Sequence, residues 1–221
     1  MKIPELYLFS GLGADERAFS GLDLSGYSVR YMSWIKPEDQ ETIPSYATRM
    51  AREIISDNPV LIGLSFGGMV AMEVAKQIPG AIVILISSAK TKREIPPYFR
   101  GYLNRFLLRL LPGRLLVWPN AVTFWLFGVT TQEEKKLLAA ILKDTDPDFL
   151  KWALSQILQW KNDVPAGQVY HIHGKRDRLL PYRYIDQPVP VHNGGHLMIV
   201  SHAGIVSDII REILAQEHRA D

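Results

Sequence analysis

The sequence predicts an α/β chain: a mostly parallel open sheet of about six strands, helices on both faces, and a helical insertion. Three observations carry that expectation. Short apolar runs ending in glycine or serine alternate with segments of helical periodicity, as in a parallel sheet covered by helices. Val60-Leu61-Ile62 and Ala81 to Ile86 are apolar at consecutive rather than alternate positions, which suits strands buried on both faces. The alternation then stops near Lys90 and resumes near Pro165, with helical spacing between.

Taken in order, the strands are expected at Glu5 to Phe9, Ser28 to Tyr31, Val60 to Leu64, Ala81 to Ser87, Gln168 to His173 and Val189 to Val191. Helices are expected from Pro44 to Ser56, with proline in the first turn, from Gly67 to Ile78, and from Gly204 to Gln216. The core is then formed by residues 1–89 and 166–221, and residues 90–165 form the insertion. Within it, Leu103 to Leu111, Thr131 to Lys143 and Asp148 to Trp160 have helical spacing. Thr131 followed by Gln132-Glu133-Glu134 reads as a helix start, a hydroxyl cap with acids in the first turn.

Composition narrows the chemistry. With 221 residues, 47% of them hydrophobic and 22% charged, the chain has material for one packed domain. The absence of cysteine excludes disulfides, thiolate zinc sites and a cysteine nucleophile. A net charge of +2 does not make the dense basic face of a nucleic-acid binder, so no nucleic-acid partner is expected. Met1-Lys2 leads into the short run Leu6 to Phe9 and then a glycine turn, without a targeting signal, so a cytoplasmic location is the expectation.

The most specific segment is Gly63-Leu64-Ser65-Phe66-Gly67-Gly68, placed between a buried strand and a helix. A serine at such a turn sits in a strained backbone that pushes its hydroxyl into a cleft, and the glycines avoid collisions between strand and helix. A serine hydroxyl needs a base to take its proton, and the base needs an acid to orient it. The strand Gln168 to His173 runs into a loop carrying Asp177, and the strand Val189 to Val191 into a loop carrying His196. All three residues follow the carboxyl ends of separate strands, where open α/β sheets place their crevice.

On these motifs the sequence resembles the α/β-hydrolase superfamily, as a small cytosolic bacterial serine hydrolase with a helical cap. Val60 to Gly68 matches its nucleophile elbow, Ile172-His173-Gly174 through Asp177 and Pro181 its acid loop, and Gly195-His196 its base loop. The resemblance implies an acyl-serine mechanism without cofactor: Ser65 attacks a carbonyl, His196 is base and then acid, and Asp177 holds the imidazolium. Backbone amides of Leu12 and Phe66 would form the oxyanion hole. Two departures stand out. The first two strands of the family are missing, and Ser10-Gly11 replaces its frequent His-Gly pair in the oxyanion loop.

Competing residues are His192, His171, His173, Asp163 and Asp186. His192 and His196 flank Asn193-Gly194-Gly195 and cannot share a helix face, so no metal site is expected. His171 and His173 share one face of a strand and read as satisfied polar groups at the sheet end. Asp163 and Asp186 are the reserve acids.

Gly11, Phe19, Trp118 and Trp125 are the candidate substrate contacts. The arginines at 100, 105, 109 and 114 read as a solvated face, or with the aromatics of the insertion as an acyl-pocket roof. A third reading is a docking face for a membrane surface or an acidic acyl carrier protein. The expected substrate is a small-molecule carboxylic ester or thioester. Acyl transfer, C–C bond hydrolysis with the same triad, and ligand binding without turnover are the alternatives.

Overall fold

The computed structural model describes residues 4–99, 112–113 and 117–220, with side chains through residue 217. Six strands form one sheet: β1 (Glu5–Phe9), β2 (Ser28–Met32), β3 (Val60–Leu64), β4 (Ile82–Ile86), β5 (Gln168–Gly174) and β6 (Val189–Val191). Their order is β2-β1-β3-β4-β5-β6, and every pairing is parallel. The chain leaves β1 toward one edge to make β2, then returns past β1 to make β3. The direction of winding therefore reverses between β1 and β3, and a crevice opens beyond their carboxyl ends.

Side chains of successive strand residues enter opposite layers. Tyr7, Phe9, Leu61, Val83 and Leu85 join one apolar cluster, whereas Leu6, Leu8, Ile62, Ile84 and Ile86 join the other. Burial on both faces explains the uninterrupted apolar runs, since each such side chain contributes about 1.5–3 kcal/mol on leaving water.

The first layer is covered by α1 (Ile43–Ala51) and α2 (Phe66–Ala75). Helix α1 opens with a Thr42–Ser45 capping box and turns Ile43, Tyr46, Ala47 and Met50 inward at helical spacing. It stops at Ala51, short of Ser56, where the chain bends into the turn that feeds Asp57-Asn58-Pro59 and β3. The second layer is covered by α7 (Ala203–Ala220), through Val206, Ile210, Ile213 and Leu214. A single helical turn, α6 (Met198–Ser201), precedes it.

Between β4 and β5 stand α3 (Ala121–Phe127), α4 (Gln132–Asp144) and α5 (Pro147–Ile157). The Thr131–Glu134 capping box starts α4, and Pro147 occupies the first turn of α5. The sequence reading did not include α3. Asn120 caps it by accepting from the amides of Val122 and Thr123 at 2.9 and 3.0 Å, and left-handed Gly128 ends it. Seven residues are too few to show a hydrophobic period. The expected helix at Leu103 to Leu111 lies outside the described residues, as do the arginines at 100, 105, 109 and 114. No helix among the described residues is long and apolar enough to cross a membrane.

Candidate active site

Ser65 follows β3 directly and caps α2 with φ 51° and ψ −120°. A non-glycine residue in this region stores strain of about 1–3 kcal/mol and persists only where its surroundings hold it. Here the Ser65 amide donates to Ile86 O at 2.9 Å, and its carbonyl accepts from Ser88 Oγ at 2.6 Å and the Gly68 amide at 3.0 Å. The flanking glycines permit the turn. A Cβ on Gly63 would lie 2.3 Å from Gly68 Cα, and one on Gly67 would lie 2.1 Å from Ser10 O. Strand, elbow and the loop after β1 approach too closely for any side chain at either position.

Asp177 is carried by the loop after β5. The amides of Lys175 and Arg176 donate to Val191 O and Gly194 O, binding this loop to the one after β6. Asp177 is 4% exposed. Its Oδ1 accepts from the amides of Leu179 and Leu180 at 2.9 and 2.8 Å, and its Oδ2 from His196 Nδ1 at 2.8 Å. Burial alone would push the carboxyl up. The electrostatic attraction of neighbouring His196 and hydrogen bonds from His173 and His196 outweigh that and hold it well below the ordinary carboxylate range. An ionised Asp177 can only accept, so Nδ1 of His196 carries a proton and the neutral ring presents its Nε2 lone pair to Ser65. The Ser65 hydroxyl donates to that nitrogen across 2.9 Å. Phe127 of α3 stands edge-on to the His196 ring at 5.5 Å, and its carbonyl accepts from the Leu197 amide at 3.0 Å. Helix α3 thus rests directly on the loop bearing His196.

Ser65 and His196 open onto a cavity of about 460 Å³. Gly11 and Leu12 line it beside the serine, and α4 and α5 supply its far wall through Leu138, Ile141, Leu142, Leu150, Leu154 and Ile157. Apart from Ser65 and His196, the only polar side chain on its lining among the described residues is Thr123. The leucines and isoleucines of α4 and α5 were absent from the sequence-derived contacts, although their helical spacing was readable.

Three expected contacts lie elsewhere. Phe19 is buried in the cluster of Leu6 and Leu8 and lines a separate hollow of about 550 Å³, at the end of the Asp15-capped turn. Trp118 and Trp125 are 66% and 57% exposed. Helix α3 turns Thr123 and Phe127, one turn apart, toward the cavity, which leaves Trp125 between them on the outer face. There the Arg178 guanidinium lies 4.6 Å from the Trp125 ring centroid and donates to its carbonyl at 2.6 Å.

The alternative residues are also placed. His192 is exposed, Asp163 accepts from Lys92 Nζ at 2.7 Å, and Asp186 stands 3.7 Å from Lys90 Nζ. His171 and His173 are buried behind Asp177. Among the described residues no group of three or more histidines and carboxylates is arranged to hold a metal ion.

Comparison with known proteins agrees with this architecture. The enol-lactonase of Burkholderia xenovorans superposes with a TM-score of 0.75 at 17% identity, over 97% of this chain and 92% of that one. A hydrolase from Oleispira antarctica reaches 0.73 at 15% identity, over 97% and 92%. A thermophilic esterase from Thermogutta terrifontis reaches 0.71 at 19% identity, over 98% and 90%. No functionally curated sequence matches the chain. The model of the alpha/beta hydrolase family matches residues 7–209, nearly the whole length, and the chain belongs to that family.

Proposed function

We propose that the protein is a serine hydrolase that cleaves a carboxylic ester or thioester carrying an uncharged, apolar acyl group of small to medium length. One observation carries this reading: the hydrogen-bonded series Ser65–His196–Asp177 ends at the mouth of a cavity with an aliphatic wall. Ser65 Oγ attacks the acyl carbon while its proton passes to His196 Nε2. The negative charge developing on the carbonyl oxygen is met by the amides of Leu12 and Phe66. Phe66 is the first residue of α2, so the helix leaves its N–H without an internal acceptor. The tetrahedral adduct then expels the alkoxide or thiolate, which takes the proton back from His196. Water, deprotonated by His196, hydrolyses the acyl-serine and releases the acid.

The volume lies within the roughly 300–1,000 Å³ of small-molecule sites, and among the described residues no charged side chain lines it. Lactones, being cyclic esters, belong in the same screen.

The test is labelling of wild type and Ser65→Ala with a fluorophosphonate, read by intact mass, followed by esters and thioesters of graded chain length. The expected result is stoichiometric labelling and turnover by wild type alone. A folded wild type that neither labels nor turns over any member of the series overturns the proposal and leaves ligand binding as the reading.

A further inference from the structure

Next to Asp177 lie two buried histidines, His171 and His173, that take no part in the proton transfer described above. His173 is fully buried at the end of β5. Its Nε2 is 2.7 Å from Leu180 O and 3.3 Å from Asp177 Oδ2, the same oxygen that accepts from His196. A carbonyl oxygen can only accept, so His173 Nε2 carries a hydrogen. That hydrogen serves Leu180 O at 2.7 Å, and Asp177 Oδ2 stands within 3.3 Å of the same nitrogen. On the far side of the ring, Nδ1 is 3.2 Å from His171 Nε2. In the neutral ring Nδ1 is the acceptor, and His171 supplies the donor that fixes the tautomer.

Resting on the hydrolase reading, we propose that His173 is a positioning residue of the relay: its Nε2–H anchors the Asp177 carboxylate and the Leu180 carbonyl together, setting the oxygen that orients His196. The two backbone donors from Leu179 and Leu180 hold only Oδ1. Without a second donor at Oδ2, the carboxylate is free to tilt about the axis those two bonds define, and the aim of the His196 ring goes with it.

The surroundings of His173 define what else acts on it. His171 stands beside it on β5, with Asp177 in front and His196 beyond. Tyr182 lies at 6.3 Å between ring centroids. Buried Glu94 and neighbouring Lys90, from the segment after β4, bear on the two histidines. The Nε2–H dipole draws charge from Oδ2. Its removal leaves Asp177 a stronger acceptor for imidazolium, so protonated His196 is favoured and the acid limb of the rate profile moves to higher pH.

The experiment compares kcat, KM and the pH–rate profile of wild type, His173→Leu and His173→Gln, with folding checked by thermal unfolding. It uses the best substrate of the ester series. His173→Leu should lower kcat about ten- to a hundredfold, as loss of a hydrogen-bond partner behind metal-bound imidazoles does. KM should stay within about twofold, and the acid limb should rise by about half a pH unit or more. His173→Gln can place an amide N–H near the position of Nε2 and should restore most of kcat and the original limb.

A folded His173→Leu enzyme with unchanged kcat and profile overturns the proposal, as does a folded His173→Gln enzyme as impaired as His173→Leu. If His173→Leu does not fold, the glutamine variant and long-range ¹⁵N–¹H correlation of the histidines in wild type decide the matter. A proton on Nε2 of His173, with near-wild-type kcat in the glutamine variant, supports the assignment. A ring protonated on Nδ1 alone overturns it. The nuclear resonance readout needs no turnover. A wild type without labelling or activity therefore sinks the hydrolase reading, and a working enzyme indifferent to His173 sinks only this one.

Discussion

At the scale of single residues, the elbow shows how local geometry excludes side chains for a reason outside local propensity. Gly67 lies in the first turn of α2, where alanine would ordinarily improve the helix by roughly 1 kcal/mol. Its Cβ would instead meet two backbone carbonyl oxygens, 2.1 Å from Ser10 O and 2.4 Å from Phe9 O, and neither can rotate away. The collision outweighs the propensity. Gly67→Ala should destabilise the protein by about 1–3 kcal/mol in urea unfolding, the usual range for overpacking, and slow labelling of Ser65 as the elbow shifts. A variant as stable and as reactive as wild type would mean that the loop after β1 does not bear on the elbow. The Gly-Leu-Ser-Phe-Gly-Gly string was legible because its glycines answer to close approaches of this kind and its serine to the strained turn between strand and helix. Trp125 misled for the converse reason: an aromatic side chain is consistent with core, pocket or surface, and only the rotation of α3 decides among them.

At the scale of elements, α4 and α5 set the wall of the cavity by periodicity. Leu138, Ile141 and Leu142 repeat on one helix, and Leu150, Leu154 and Ile157 on the other, each facing inward. Those patterns could be read beforehand, as could the strands, whose apolar runs were bounded by turns. What could not be read was the rotation of the two helices about their axes relative to Ser65, which long-range packing determines. Phe149 illustrates it: one residue before Leu150, it turns instead into the aromatic cluster with Trp34, Tyr46, Phe66 and Trp152. If α5 forms the end of the acyl site, Leu154→Trp should shorten the accepted chain. Burial of a methylene is worth about 0.8 kcal/mol, so excluding two of them should lower kcat/KM about fifteenfold. The effect should fall on octanoyl and longer esters while acetyl esters are hydrolysed at close to the wild-type rate. An equal loss on acetyl and octanoyl esters would place the acyl chain against another wall.

At the scale of the whole molecule, the sheet buries ionisable groups whose protonation is coupled to unfolding. His171 is held well below the ordinary histidine value of 6.5, by burial first and then by neighbouring His173 and Lys90. Glu94 is pushed above its ordinary value of 4.5 by burial, against hydrogen bonds from the amides of Asp186 and Lys90. The two act with opposite sign. Unfolded chains bind a proton at His171 as pH falls through 6.5, whereas the folded protein does not, so this group removes stability on acidification. Glu94 binds its proton more readily in the folded state, so the penalty for burying its charge is relieved over the same descent. Comparing wild type with His171→Gln cancels the Glu94 contribution, because both proteins carry it. Urea unfolding at pH 7.5 and 5.0 should therefore show wild type losing up to about 2 kcal/mol more than His171→Gln between the two conditions, one proton at about 1.4 kcal/mol per pH unit below 6.5. Equal losses in the two proteins would mean that His171 takes up a proton without unfolding. The buried Nε2-to-Nδ1 contact with His173 would then have to accommodate an additional charge, which burial and neighbouring Lys90 oppose.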